Sequence, residues 1–223
     1  FATAVSALLF SGCMSEAEIK HIGHMSDALD SSLWEESVWI SAADAPVLQG
    51  QGHHRAADGS SWFVSSLTND KDVASAKWMT AGLGVYELYI NGCAVGEEFL
   101  KPGFTHHLKT KRSFTYDITE AFYTDKDQIN TLSAQVTPGW WADKIITPAN
   151  HDGMNGKKCA FRSILEVTYT DGTVKRFGTD TVGWKAGIAG PVKHAAIFDG
   201  EEYDAREPLG HDCAEKLGIP EIN

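Results

Sequence analysis

Residues 84–96 read GVYELYINGCAVG and constrain the fold of this chain more than any other segment. Aromatic and aliphatic residues alternate with polar ones up to Ile90, a pattern typical of a strand with one buried face. Asn91 and Gly92 then favour the two positive φ angles of a type I′ turn, and Ala94 lies in a return strand. The segment therefore predicts an antiparallel β-hairpin.

Short segments of similar character recur along the chain, separated by turn residues. Alternation and aromatic content predict strands at 61–68, 73–81, 85–90, 113–118, 129–137, 160–170 and 174–179. Residues 119–123 resemble a helical turn, and no long helical pattern offers the crossovers of a parallel sheet. The predicted fold class is all-β, an antiparallel, jelly-roll-like β-sandwich with short helical turns.

Composition limits both the size of this domain and its partners. A chain of 223 residues, 43% of them hydrophobic, can bury one good core and a small appendage. Its formal net charge is −11, and Lys and Arg cluster only at residues 109–112. Because polyanion binding needs a basic surface, nucleic acid is not an expected partner.

The N-terminal residues are typical of an export signal. Residues 1–12 are apolar and uncharged, end in small residues and are followed by Cys13. This stretch is too short to span a bilayer as a helix, and its junction resembles a bacterial lipoprotein box, which implies a lipid on Cys13. We expect an exported protein, periplasmic, outer-membrane-anchored or extracellular, that meets a membrane only through that lipid. An apolar N-terminal strand or helix is the alternative.

The remaining cysteines predict little cross-linking. If Cys13 carries lipid, Cys93, Cys159 and Cys213 are left, an odd number without the C-x-x-C spacing of a zinc site. Buried thiols with at most one disulfide bridge are therefore expected.

Five separated blocks of sequence occur in the order found in one enzyme family. They are A-x-x-G-x-Y-E-L-Y-I-N-G-x-x-V-G at 81–96, L-x-P-G-x-T at 100–105, Y-D-I-T at 116–119, Asn130 with G-W-W at 139–141, and a C-terminal set within 171–206. Together they resemble the N-terminal accessory β-sandwich of bacterial α-L-rhamnosidases, over about residues 73–206. Phe104 and His106-His107 depart from the family's Trp and Asp-Tyr.

This resemblance implies a galactose-binding-like sandwich within a secreted glycoside hydrolase that removes terminal L-rhamnose. In that family an inverting pair of acidic residues lies in a separate (α/α) barrel, which would be the partner of this domain. We expect a signal at 1–13, a tether at 14–32, the sandwich at 33–206 and a linker toward a downstream barrel at 207–223. No catalytic pair is expected here, because the adjacent acidic residues Glu97-Glu98 and Glu201-Glu202 point to opposite faces of a strand.

Some sandwiches of this group hold rhamnose through calcium, so the resemblance also implies a carbohydrate site. Trp140, Trp141, Asp143 and Lys144 combine aromatic faces with polar groups beside a predicted loop, and Asp143 is the candidate Ca²⁺ ligand. At a strand end, one of the two consecutive tryptophans should face the core and the other solvent.

Glu87 and Asn91 are further candidates for carbohydrate binding, each with a simpler interpretation. Glu87 could be a solvated charge and Asn91 a residue required by the turn. Three hypotheses remain open at this stage. They are a purely structural scaffold for the enzyme, a module that binds rhamnose-containing glycan, and a stand-alone surface lectin or adhesin.

Overall fold

The computed structural model describes residues 23–47, 60–143 and 155–223, apart from the side chain of Cys213. The predicted signal at 1–13 with Cys13, the tether up to residue 22, and Lys144 lie outside the described residues. No helix in the described part of the chain is both long enough and apolar enough to cross a membrane.

Strands dominate the described residues, and their bounds are as follows. They are β1 (His24–Met25), β2 (Ile40–Ser41), β3 (Ser61–Thr68), β4 (Val73–Leu83), β5 (Val85–Ile90), β6 (Cys93–Ala94), β7 (Ser113–Asp117), β8 (Ile129–Thr137), β9 (Ala160–Tyr169), β10 (Val174–Gly178), β11 (Trp184–Ile188), β12 (Val192–Ala196), β13 (Gly200–Tyr203) and β14 (Glu221–Ile222). The helical elements are short: the 3-10 helices η1 (Ser31–Glu36), η2 (Thr119–Ala121) and η3 (Gly210–Lys216), and the single-turn α-helix α1 (Gly139–Ala142).

The strands form two antiparallel sheets and a separate two-stranded ribbon. The larger sheet has the order β1-β7-β4-β9-β2-β14, with β10 also paired to β9, and the smaller sheet has the order β11-β3-β8-β5-β6. Within the described part of the chain, strands β12 and β13 pair only with each other. The all-β antiparallel sandwich with short helical turns is therefore confirmed.

The main core lies between the two sheets. Alternate residues of the smaller sheet point inward, as the period of two requires, and meet large aromatic residues of the larger sheet. The inward set includes Phe63, Tyr86, Leu88, Ile90, Leu132, Ala134 and Val136 from one sheet and Trp78, Tyr116, Phe161 and Leu165 from the other. This alternation leaves the other face of β5 and β8 available for a site.

The predicted strands agree closely with the structure over residues 61–178. The predicted bounds of β3, β5 and β8 match, and β4 runs two residues further, to Leu83. Asn91 and Gly92 have φ angles of 50° and 82°, as a type I′ turn requires. Strands β11 to β14, which lie beyond residue 180, were not predicted individually.

The C-terminal segment continues the sandwich, whereas the sequence placed a linker at 207–223. Helix η3 covers Trp62 on the outer face of the smaller sheet, where Leu217 joins a second buried cluster. Strand β14 then pairs with β2, Ile222 opposite Ile40. The apolar face of Trp62 gives this segment a surface to bury, which explains why it packs rather than extends into solvent.

The N-terminal part also begins earlier than the predicted boundary at residue 33. Strand β1 pairs with β7, with His24 opposite Asp117. Of the cysteines, Cys159 is buried and takes part in no disulfide bridge, whereas Cys93 is disulfide-bonded.

Candidate functional site

The candidate site begins where β8 ends in the helical turn α1. Gly139 has a φ of 45°, and a Cβ there would lie 2.4 Å from Val85 Cγ2, so a glycine is needed for this turn to approach β5. Because α1 is helical, Trp140 and Trp141 are rotated by about 100° from each other rather than pointing to opposite faces. Both are half-buried, and the expectation of one core and one solvent-facing tryptophan was wrong.

An aromatic cluster forms around this turn, which we call the aromatic corner: Phe104, His107, Trp140 and Trp141. The Phe104 ring centroid lies 6.3 Å from that of Trp140, and the His107 centroid lies 6.2 Å from that of Trp141. Phe104 and His107 are 5.6 Å apart and nearly perpendicular. Phe104 is 62% exposed, so the corner presents an apolar face to solvent.

Trp141 is the more tightly held of the two tryptophans. Its Nε1 donates a hydrogen bond to the Lys158 carbonyl at 2.9 Å, and Lys111 Nζ lies 5.8 Å from its ring centroid. Gly156 approaches the ring so closely that a Cβ at this position would lie 2.0 Å from it. Trp141 therefore supports the corner, and Phe104 is its exposed ring, whereas both tryptophans are half-buried.

His107 is buried within the aromatic corner as a neutral ring. Burial lowers its pKa from the usual value, and the positive charge of Lys111 lowers it further. Its Nδ1 lies 3.4 Å from Thr105 Oγ1, and its buried Nε2 has no hydrogen-bond partner among the residues that the structure describes. A protonated ring would be costly in this apolar setting.

Asp143 follows the corner but does not point freely into solvent. It is 5% exposed, and its Oδ2 accepts a hydrogen bond from the Ile197 backbone N–H at 2.9 Å. This contact joins the end of α1 to the β12–β13 ribbon. Within residues 23–47, 60–143 and 155–223, no group of three or more His, Cys, Asp or Glu side chains could hold a metal ion. Calcium at Asp143 therefore stays a prediction.

Glu87 lies on the outward face of β5 and is held by a buried lysine. Lys101 Nζ donates to Glu87 Oε2 at 2.8 Å, with side-chain exposures of 1% for the lysine and 41% for the glutamate. The same ammonium donates to the carbonyl oxygens of Glu98 and Val95 at 3.1 and 3.4 Å. Glu87 is thus fixed in position while remaining open to solvent.

A cleft of about 320 Å³ adjoins Glu87, between the outer face of β5 and β8 and the β12–β13 ribbon. Its floor includes Glu87 and Gln135, which face each other across the two strands. The ribbon supplies its roof, and Gly139 and Ile197 connect it to the aromatic corner. Glu87 and the residues at 140–143 therefore belong to one end of the sandwich.

Asn91 follows the other end of β5, about 13 Å along the strand from Glu87. Its Nδ2 donates to the Ala121 carbonyl at 2.9 Å and to Asn130 Oδ1 at 2.8 Å, and its Oδ1 accepts from the Thr131 N–H at 2.9 Å. The side chain joins the hairpin turn to the start of β8, and the structure does not bring it near the other candidates.

Three residues of this region carried no signal that identified them in the sequence. Phe104 was noted only as a departure from the family pattern. Lysine usually lies at the protein surface, so its residue type gave no indication that Lys101 is buried. Gln135 lies beside Glu87 only because β5 pairs with β8. The pairing register of β5 and β8 would have identified Gln135.

Comparison with known proteins matches this sandwich to a known domain family. The model of the alpha-L-rhamnosidase N-terminal domain matches residues 71–215. An alpha-L-rhamnosidase of Streptomyces avermitilis is 37% identical over 137 residues, which are 61% of this chain and 13% of that protein. The chain thus spans about an eighth of that relative's length.

Solved structures agree with the sequence match. The crystal structure of an α-L-rhamnosidase from Aspergillus terreus superposes with a TM-score of 0.75 at 25% identity, over 87% of this chain and 22% of that one. A lectin from Pleurotus ostreatus, at 20% identity and a TM-score of 0.51 over 89% of this chain and 43% of its own, shares the fold. By the family match over most of its length, the chain belongs to the α-L-rhamnosidase N-terminal domain family.

Proposed function

We propose that this chain serves as a non-catalytic accessory domain of an α-L-rhamnosidase, where it supports the catalytic barrel and binds rhamnose-containing carbohydrate. The observation that carries the proposal is the family match over residues 71–215, which includes strands of both sheets and most of η3. Hydrolysis itself would belong to the acidic pair of the barrel.

The aromatic corner is the surface that we assign to carbohydrate. Sugar rings present a patch of C–H groups that packs on aromatic faces, and the exposed Phe104 ring stands at 76° to that of Trp140. Such an angled pair covers two sides of a small ring. The corner also lies at a loop-rich end of the sandwich, where binding residues are commonly found.

Calcium and export are parts of the same proposal. Calcium takes six to eight oxygen ligands, so at Asp143 it would need backbone or amide oxygens besides this carboxylate.

Export with a lipid on Cys13 would place the enzyme where it meets glycans. A Cys13→Ser variant of the exported precursor should move from the membrane fraction to the soluble fraction, and continued membrane association would contradict the lipid anchor.

Calorimetric titration of the chain from residue 14 with L-rhamnose tests the carbohydrate role. We expect saturable binding in CaCl₂ with a component that is lost in EDTA and lost in Trp140→Ala. Tyr123→Ala is the matched control, because Tyr123 is a 42% exposed aromatic residue near the opposite end of β8. Equal binding by both variants would exclude the aromatic corner, and a component that is lost in Trp140→Ala but unchanged by EDTA would exclude the calcium.

A chimera tests the structural role. The homologous domain of the Streptomyces avermitilis enzyme would be deleted, or replaced by residues 71–215 of this chain. We expect the deletion to lower the melting temperature of the barrel and its activity on an aryl α-L-rhamnoside, and the replacement to restore both. A chimera with folded domains but no restoration would show that this domain does not support the barrel.

A further inference from the structure

The cleft beneath the β12–β13 ribbon has the features of a small-molecule site separate from the aromatic corner. Its volume of about 320 Å³ lies near the lower limit of small-ligand pockets, roughly 300 Å³. Its walls are mainly apolar, from Val85, Leu100, Val192 and Ala195, and its floor holds a few polar groups. A mostly apolar cleft with few convergent polar groups is the usual form of a ligand site.

Glu87 is the first polar group of the floor, and the fold holds it in place before any ligand arrives. Lys101 has three acceptors for its three N–H groups: Glu87 Oε2 and the carbonyl oxygens of Val95 and Glu98. Within the described residues, Glu87 Oε1 has no hydrogen-bond partner. One oxygen is therefore anchored, and the other is available as an acceptor.

Gln135 is the second polar group, directly opposite Glu87 on the neighbouring strand. Facing residues on adjacent strands have Cβ atoms about 4.5–5.5 Å apart, so the two side chains lie side by side on the cleft floor. Gln135 is half-buried, and its amide makes no hydrogen bond to any described residue. A half-buried amide without a partner has both a donor and an acceptor to offer.

The charges around the cleft favour a neutral ligand. The Lys101 ammonium compensates the Glu87 carboxylate, so the floor has no unbalanced charge with which to select a cation. The exposed carboxylate of Glu201 at the rim disfavours anions. An acceptor-only carboxylate beside an amide suits two adjacent hydroxyl groups, each of which can donate and accept.

We propose that this cleft binds one neutral monosaccharide unit, with two adjacent hydroxyls on Glu87 Oε1 and the Gln135 amide. The apolar ring face or methyl group of the sugar lies against Val85, Leu100 and the ribbon. This site goes beyond the carbohydrate surface at Phe104 and Trp140, because it uses other side chains and needs no aromatic platform. Asp143, which holds Ile197 of the ribbon, is a positioning residue for its roof.

Nuclear magnetic resonance of the ¹⁵N-labelled chain tests this site directly. The side-chain amide signals of Gln135 would be followed during titration with L-rhamnose, L-fucose, D-galactose and D-glucose. We expect a saturable shift of these signals with at least one sugar. An unchanged Gln135 amide throughout the panel would overturn the proposal.

Variants then connect the shift to the cleft. Gln135→Ala removes no hydrogen bond within the described chain and should fold normally, yet lose at least tenfold in affinity. Ala195→Leu should have the same effect by filling the cleft without touching either polar group. Gln128→Ala is the matched control, since Gln128 is an exposed glutamine before the start of β8.

The same variants separate this site from the aromatic corner. If binding is lost in Trp140→Ala but unchanged in both Gln135→Ala and Ala195→Leu, the proposed site in the cleft is overturned and the site at the aromatic corner is supported. If binding is lost in the two cleft variants but unchanged in Trp140→Ala, the site in the cleft is supported and the site at the aromatic corner is excluded.

Discussion

Lys101 is a charged side chain that the fold has almost completely removed from water. Taking an ammonium group out of water costs several kcal/mol unless other acceptors replace the solvent. Here Glu87 and two backbone carbonyls provide those acceptors and join the loop after β6 to strand β5. A residue usually found at the surface thus fixes both a loop and the floor of the cleft.

Replacing Lys101 by Met should lower the free energy of unfolding by about 2–4 kcal/mol, because two carbonyls lose their partner and each unpaired group costs about 1–3 kcal/mol. Urea denaturation of the two proteins measures this difference. The control is Lys71→Met, since Lys71 pairs with Asp171 at 2.6 Å while both side chains are about half exposed. That change should cost less than about 1 kcal/mol. Equal losses would contradict the special role of Lys101.

His211 is a second buried ionisable residue, and it lies against the rings that η3 covers. Its ring centroid is 5.7 Å from that of Trp62 and 5.3 Å from that of Tyr89. Burial lowers the pKa of His211, and the Asp212 carboxylate, 3.5 Å away, offsets only part of this effect. Burial also raises the pKa of Tyr89 to about 12, so this phenol stays neutral beside it.

Acid should therefore weaken the folded state through His211. The unfolded chain binds a proton near pH 6.5, whereas the folded chain binds one only at lower pH. The stability conferred by the neutral ring is complete above pH 6.5 and falls as the pH drops from there toward the folded pKa. Melting temperatures at pH 7.5 and 5.5 should differ less in His211→Phe, which keeps a ring in place. An unchanged difference would show that His211 does not titrate in this way.

Among the elements, those with local signals were predictable from the sequence. The β5–β6 hairpin follows from residues that favour positive φ, and β3 and β8 follow from alternation. Helix α1 carries no such signal, because Gly139 is required by its approach to Val85, 54 positions earlier. The pairing that puts Glu87 beside Gln135 is equally non-local, so half of the cleft floor could not be foreseen.

Helix η3 offers a test of how closely the C-terminal segment fits the smaller sheet. A Cβ at Gly210 would lie 2.2 Å from the Trp62 ring, so Gly210→Ala should destabilise the fold by about 1–3 kcal/mol through overpacking. Gly218→Ala is the control, since its nearest atom would be 3.8 Å away. Guanidinium denaturation of both variants measures the effect. A Gly210 variant as stable as the control would mean that η3 can move away at little cost.

At the scale of the whole molecule, the family was recognisable because its five blocks span most of the sandwich. The extent of the sandwich was not recognisable from the sequence, because the packing of residues 207–223 depends on contacts with Trp62 and on pairing with β2. Of the candidate site residues, Glu87, Trp140, Trp141 and Asp143 meet at one end, and Asn91 lies at the other. Their common location arises from sheet pairing, which no single segment encodes.

The sandwich should also fold slowly, because distant segments pair in both sheets. Ile40 lies opposite Phe161, and Ser61 lies opposite Ile188. Folds dominated by such non-local pairs form in roughly milliseconds to seconds. Stopped-flow tryptophan fluorescence during refolding should therefore resolve the main phase, and completion within microseconds would contradict this expectation.

The position of β9 in the larger sheet has a consequence for synthesis on the ribosome. Strand β9 pairs with β4 along almost its whole length, yet β4 leaves the ribosome long before it. At about 5–20 residues per second, the edge of β4 that awaits β9 stays bare for several seconds. During that interval the nascent chain carries an unpaired apolar strand, which makes it a substrate for chaperones and exposes it to aggregation.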